Sequence, residues 1–438
     1  MAGNPLGDIL RIKELRDRIT YTLFWLFVFR VGAYLPIPGI NAGALAVYFK
    51  SQTSGGGITD YLDFFAGGAF KNFSVFMLGV MPFISTQIIM QLLLVVFPKL
   101  KKVAEEEGGR KKIARWTRIG AVGVCIVQSL SVIAWAKTIP GALTISEAMY
   151  TFVAIVTVTT GSMFLIWIGE QITKRGIGNG VSLLIFAGIV ARLPNALYAL
   201  WQRIANNEIN PVFAIVVLLL FAAVIALVIY EQQGQRKIPI NYAKRVVGRR
   251  MYGAQNTYIP FKINPSGVIP VIFASSLLTL PLQLLGGPAA KAKWIRDFTA
   301  WLSPSGVWYQ VLYILLIVFF AYFYTQVTLN PQEISKSIRE NGGSIPGIRS
   351  EKMEEYLTRI LNRIILPGSL YLALIALIPT VVQRLFNFPS ELAYLLGGTS
   401  LLILVGVDLD TMSQVEALLK MHHHDGLTRK GHIKARNL

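Results

Sequence analysis

Long apolar runs constrain this chain more than any other feature. Ten of them follow one another along 438 residues, at 19–35, 73–97, 119–136, 148–168, 181–201, 211–230, 267–286, 307–329, 364–381 and 392–407. Crossing a hydrocarbon core of about 30 Å takes roughly 20 helical residues. In lipid each segment must satisfy its own backbone N–H and C=O groups, so runs of this kind fold as helices; a barrel would alternate over segments of about ten residues. The expected fold class is an all-α polytopic membrane protein of ten transmembrane helices. Composition agrees, with 53% hydrophobic and only 15% charged residues, whereas soluble domains are about one quarter charged.

The formal charge is +19, from 42 Lys and Arg against 23 Asp and Glu. In a soluble chain that excess would point to nucleic acid. Here it belongs in loops, because a charge at the bilayer centre costs about 2.5–3.5 kcal/mol or more. Alternate loops divide it unevenly. The N-terminus, loops 98–118, 169–180, 231–266 and 330–363, and the C-terminal tail hold 32 Lys and Arg; the other side holds 9, counting Arg192 within the fifth run. An even number of spans with both termini in the cytoplasm follows from this bias. Arg11, Lys13, Arg16 and Arg18 precede the first run as in a signal peptide. Arg30 within that run, the Pro36-Ile37-Pro38-Gly39 end and the lack of a small-residue cleavage site make it a permanent span. Arg30 sits near its outer end, where its side chain can snorkel.

Ion-coupled carriers place ionisable groups inside their spans. The spans here are nearly free of them: Glu170 and Glu231 mark span ends, Asp408 and Asp410 lie at the cytoplasmic edge of the last run, and His422, His423, His424 and His432 are in the tail. There is no G-x-x-x-x-G-K-[ST] loop, and Gly176-Ile177-Gly178-Asn179-Gly180 reads as a tight turn between helices. Cys125, the one cysteine, reads as a small buried side chain. No nucleophile or metal constellation can be assembled, so no enzyme, cofactor or metal is expected. Anything this chain moves must be driven by a partner or by the membrane potential. A secondary carrier and a membrane-embedded enzyme are the rival classes. Ile84 and Ile88, and Ile185 and Ile189, each share a helix face. Such pairs read as packing or lipid-facing residues, or as a narrow apolar constriction that holds ions back by excluding water.

Six stretches in order carry a resemblance to a known family: GVMPFISTQI at 79–88, GEQITKRGIGNG at 169–180, GQRKIPINYAKRVVGRR at 234–250, NPSGVIPVIFASS at 264–276, IPGIR at 345–349 and GGTSLLI at 397–403. The chain resembles the SecY family of protein translocon channel subunits over nearly its whole length. That resemblance implies an hourglass channel for unfolded polypeptide, made of two inverted five-helix halves that open sideways to lipid. The halves would be residues 1–210 and 211–412, followed by a tail 413–438. Ile84, Ile88, Ile185, Ile189, Ile272 and Ile403 match the family's pore ring. The segment 60–71, with Asp60, Phe64, Phe65, Ala66, Gly67, Gly68, Ala69 and Lys71, matches its plug. Gln87, Gln91, Gln128, Ser275 and Ser276 fall at its lateral gate, and are also placed for ordinary interhelical hydrogen bonds.

Arg236, Lys237, Lys244, Arg245, Arg249, Arg250 and Arg349 fall in cytoplasmic loops that the family uses for docking. Clustered Lys and Arg suit ribosomal RNA phosphates or an acidic motor surface, though topology alone also explains much of this charge. The implied partners are the small membrane subunits SecE and SecG, the SecA motor ATPase, the ribosome, signal peptides with unfolded secretory proteins, and the lipid bilayer, with no small-molecule substrate. The implied location is the plasma (inner) membrane of a bacterium.

Overall fold

The computed structural model describes residues 12–51, 63, 66–242, 245–247, 250–252, 256–285, 293–303, 306–386 and 397–430. Fifteen helices are defined there: α1 (Lys13–Gly32), α2 (Ala42–Ser51), α3 (Met81–Val96), α4 (Pro98–Glu105), α5 (Gly109–Ala136), α6 (Glu147–Arg175), α7 (Gly180–Val190), α8 (Leu193–Ala205), α9 (Pro211–Gln233), α10 (Ile269–Leu285), α11 (Lys293–Trp301), α12 (Val307–Thr328), α13 (Pro331–Glu340), α14 (Met353–Phe386) and α15 (Gly398–Lys430). Among the described residues, six helical stretches are long and apolar enough to cross a membrane, or seven if the bent pair α3–α4 counts as one. The chain is thus a helical membrane protein of several spans.

Local chemistry explains the helix ends. Asn179, Asn210 and Asn330 each turn a side-chain oxygen back onto the first N–H groups of α7, α9 and α13. Proline follows at the start of α9 and α13, where a missing N–H costs nothing. Pro98 does the opposite to the second expected span. It forces Phe97 into an extended conformation (φ −106°, ψ 101°), and α4 leaves α3 at 104°. α9 shows what lipid permits: Ala214, Val217, Phe221, Val224 and Val228 are buried along one face, while Phe213, Ile215 and Leu219 stay exposed on the others. A helix apolar all round has no water-facing side.

Several expected spans differ in detail. The run 73–97 is helical only from Met81; residues 66–80 are turns, pinned by Ile37 N–H to Phe73 O (2.9 Å) and Val75 N–H to Leu35 O (2.9 Å). The run 181–201 is interrupted at Ala191 and Arg192, ahead of Pro194 at the start of α8. α15 continues well past the last expected span, to Lys430; residues 392–396 lie outside the described residues.

The chain divides into two compact units. One holds Met1–Ala196, Gly287–Ala289 and Ile403–Leu438; the other holds Leu197–Gly286 and Ala290–Leu402. In this division residues 197–210 group with the second unit and the residues from Ile403 onward with the first. In the first unit α3 packs on α5, α5 on α6, α6 on α7, and α1 on both α6 and α7. The 176–180 turn is tied to its surroundings: Ile177 N–H donates to Thr22 Oγ1 (3.1 Å) and Gly178 N–H to Gln414 Oε1 (2.8 Å). In the second unit α12 lies between α10 and α14, and α9 packs on α14.

The basic stretch 231–266 is not a structureless loop. It carries β1 (Gln235–Tyr242), β2 (Arg245–Val247), β3 (Arg250–Tyr252) and β4 (Asn256–Lys262), with β1 and β4 antiparallel from Gln235↔Lys262 to Asn241↔Asn256. β5 (Gly343–Ser344) adds to the other edge of β1. Alternation of side chains turns Ile238 and Ile240 inward onto Phe261, Ile338, Ile345, Met353 and Leu357. Ile240→Ala is expected to cost about 2–5 kcal/mol locally. Limited proteolysis should then cut the 235–262 region faster while the apolar helices remain resistant.

Candidate channel elements

The segment ahead of α3 has the most unusual backbone in the first unit. Non-helical chain at membrane depth is tolerated only where protein or a wet cavity satisfies it. Here Ala66, Gly67, Ala69, Phe70, Phe73, Ser74 and the stretch from Phe76 to Val80 are all buried. Trp135 of α5 stacks on Phe70 (5.3 Å between ring centroids) and on Phe73 (5.5 Å). Gly67 is in the left-handed region (φ +65°), and a Cβ there would stand 2.7 Å from the Gly188 Cα of α7. Two glycines thus let a loop and a helix touch backbone to backbone.

Two arginines hold this segment. Arg192 Nη2 pairs with Asp63 Oδ2 at 3.0 Å, and the Asp63 side chain is only 1% exposed. The other carboxylate oxygen accepts the Lys71 backbone N–H at 2.9 Å. Arg30 of α1 donates to the Gly67 carbonyl at 3.0 Å and to the Tyr34 hydroxyl at 2.6 Å, and lies over the Tyr34 ring. Arg30, near the end of α1, is half-buried, and the Tyr34 it meets is exposed. Asp63, Arg192 and Trp135 were not singled out from the sequence. Their signal is faint: a lone Asp inside Tyr61-Leu62-Asp63-Phe64-Phe65 and a lone Arg closing an apolar run. Asp60, Phe64 and Phe65 lie outside the described residues.

The candidate pore residues are placed as follows. Ile84 and Ile88 on α3, Ile185 and Ile189 on α7, and Ile403 on α15 are buried at 0–5% exposure, so none of these five faces lipid; Ile272 on α10 is half-buried. Of the candidate gate residues, Gln128 is buried on α5, and Gln87 and Gln91 are half-buried on α3. The side-chain oxygens of Gln91 and Gln128 have no hydrogen-bond partner among the described residues. Ser275 and Ser276 are buried on α10, with the Ser275 hydroxyl donating to the Ile272 carbonyl at 2.9 Å.

The basic residues converge more than the sequence suggests. Arg236 and Lys237 are both exposed at the start of β1, on opposite faces of the strand, with the Lys237 ammonium 4.7 Å from the Tyr258 ring centroid. The pairing of β1 with β5 brings Gly343 and Ser344 to the same sheet, and exposed Arg349 follows five residues later. Arg245 and Arg250 belong to the small β2–β3 hairpin; Lys244 and Arg249 lie outside the described residues.

The SecY family profile matches residues 74–412. The Protein translocase subunit SecY of Borreliella burgdorferi is 49% identical over 415 residues, which is 94% of each chain. This chain belongs to the SecY family. Its fold is that of solved SecY-type channels. One such structure is of a SecY protein whose plug domain is described as stabilising the closed state of the translocation channel and maintaining a membrane seal (TM-score 0.63, 20% identity, 92% of each chain). Another is Sec61 in a canine ribosome–channel complex (TM-score 0.60, 20% identity, 92% of each chain).

The geometry around Gly67 gives a direct check. Gly67→Ala adds a Cβ against Gly188 and forces a left-handed alanine, which alone costs about 1–2 kcal/mol. In a Cys125→Ala background, thiol labelling of a cysteine placed at Ala69 should therefore speed up about tenfold.

Proposed function

We infer that this chain is the channel-forming subunit of a protein translocase, a passive pore that conducts unfolded secretory polypeptides across the bacterial plasma (inner) membrane and releases membrane segments sideways into lipid. The observation that carries this reading, beside family membership, is the turn segment from Ala66 to Val80, largely buried in the first unit. Its first part, within residues 60–71, is read as the plug: small residues at Ala66, Gly67, Gly68 and Ala69 permit close docking without the interlocking side chains that would make withdrawal slow.

Ile84, Ile88, Ile185, Ile189, Ile272 and Ile403 are assigned to the constriction. Branched aliphatic side chains offer no fixed partner to any passing residue, and a narrow apolar ring excludes water and with it ions. Gln87, Gln91, Gln128, Ser275 and Ser276 suit a lateral seam that water and a signal peptide share. Arg236 and Lys237 on β1, and Arg349 in the stretch that follows β5, suit an acidic motor surface or ribosomal RNA phosphates. The assembly would comprise SecE and SecG, with SecA or the ribosome supplying the drive, ten spans in two five-helix halves, and both termini in the cytoplasm.

Reconstitution with the small subunits and a motor should move an unfolded secretory protein into vesicles. Uptake of a small solute in its place would overturn the channel reading. Replacing the six isoleucines together with serine should raise resting ion conductance in planar bilayers; unchanged conductance removes them from the pore. Arg349→Glu should cut motor-driven export sharply while leaving the unfolding midpoint near that of the parent, and normal export with normal motor binding would remove Arg349 from the docking surface.

A further inference from the structure

The segment from Asp63 to Lys71 is held by charge as well as by shape. The Asp63 carboxylate has both oxygens engaged, one by Arg192 at 3.0 Å and the other by the Lys71 N–H at 2.9 Å. Arg192 follows α7 directly, and its side chain is 18% exposed. From the other side Arg30 of α1 grips the Gly67 carbonyl at 3.0 Å. α1 and α7 pack on each other, and Gly67 fits against Gly188 between these two anchors.

We propose that Asp63, Arg192 and Arg30 form an electrostatic latch that positions the plug in its closed place, and that rupture of the Asp63–Arg192 pair is a step of channel opening. The proposal rests on the plug reading above and names the chemistry that holds the plug in this chain. A buried ion pair adds little net stability over well-packed apolar groups, yet removing one partner strands an uncompensated buried charge. Such a pair favours two discrete positions over a graded range. In the docked position each charge has its partner within the protein. In a displaced position Asp63, Arg192 and Arg30 must all be hydrated, so withdrawal toward water is open to the segment and withdrawal into lipid is not. Because α1 and the end of α7 supply the two arginines, any change in the spacing of these helices pulls directly on the latch. A threaded chain or signal helix that separates them needs no contact with Asp63 itself to release the plug.

The test uses the full chain with its small membrane subunits in planar bilayers, reading resting ion conductance without substrate. Asp63→Asn keeps the shape of the side chain and the oxygen that accepts Lys71 N–H, and removes only the charge. Arg192→Met removes the other charge at similar length. Each is expected to raise resting conductance about tenfold or more. Arg192→Lys should stay close to the parent, and the double variant D63N/R192M should leak no more than either single one. A chain lacking residues 63–71 is the reference for a lost plug. If that deletion leaks while D63N and R192M stay tight, the latch is overturned and the plug reading stands. A deletion that stays tight removes the plug reading, and the latch with it. Variants that lower the unfolding midpoint without raising conductance show a static structural pair and also overturn the latch.

Discussion

A polypeptide in lipid must bond every backbone polar group within the protein. Helices meet this demand segment by segment, which is why long apolar runs dominate the chain and why α9 can be apolar on every face. The same demand makes the departures from helix informative. Turn structure from Ala66 to Val80 survives because neighbouring backbone answers it: Leu35 and Ile37 bond to Val75 and Phe73, and Ser74 N–H reaches Ala69 O at 3.1 Å. The irregular segment is thus largely buried among helices of the first unit.

The charges that meet this segment are compensated among the described residues. Asp63 and Arg192 neutralise one another, and Arg30 meets a carbonyl and an aromatic ring. The apolar residues around them bear on function differently. Ile84, Ile88, Ile185, Ile189 and Ile403 are all buried, so their branched side chains pack or line an interior surface and do not face lipid.

Outside the apolar helices the logic reverses. Ile238 and Ile240 fasten β1 to a core built from Ile338, Ile345, Met353 and Leu357, and Arg236 and Lys237, just ahead of them on the same strand, are exposed. A basic surface of steady shape results, because the charged side chains ride on a sheet anchored by apolar ones. β5 makes that surface composite, joining two stretches of sequence about a hundred residues apart.

Hydropathy and charge bias determined the class of this protein by themselves, since lipid imposes its rule on every segment locally and Lys and Arg mark the loops. The 176–180 turn was equally legible, because Asn179 caps the helix that follows it. Tertiary structure decided what depends on distant partners. The run from Phe73 is as apolar as a helix, but Leu35 and Ile37 hold its first part in turns. Lys-Ile-Pro-Ile-Asn at 237–241 reads as loop until β4 and β5 pair with it. Asp63 and Arg192 are two isolated charges in the sequence, and only folding brings them to 3.0 Å. Hydropathy is a property of neighbours along the chain, whereas an ion pair between Asp63 and the end of α7 is a property of the packed fold.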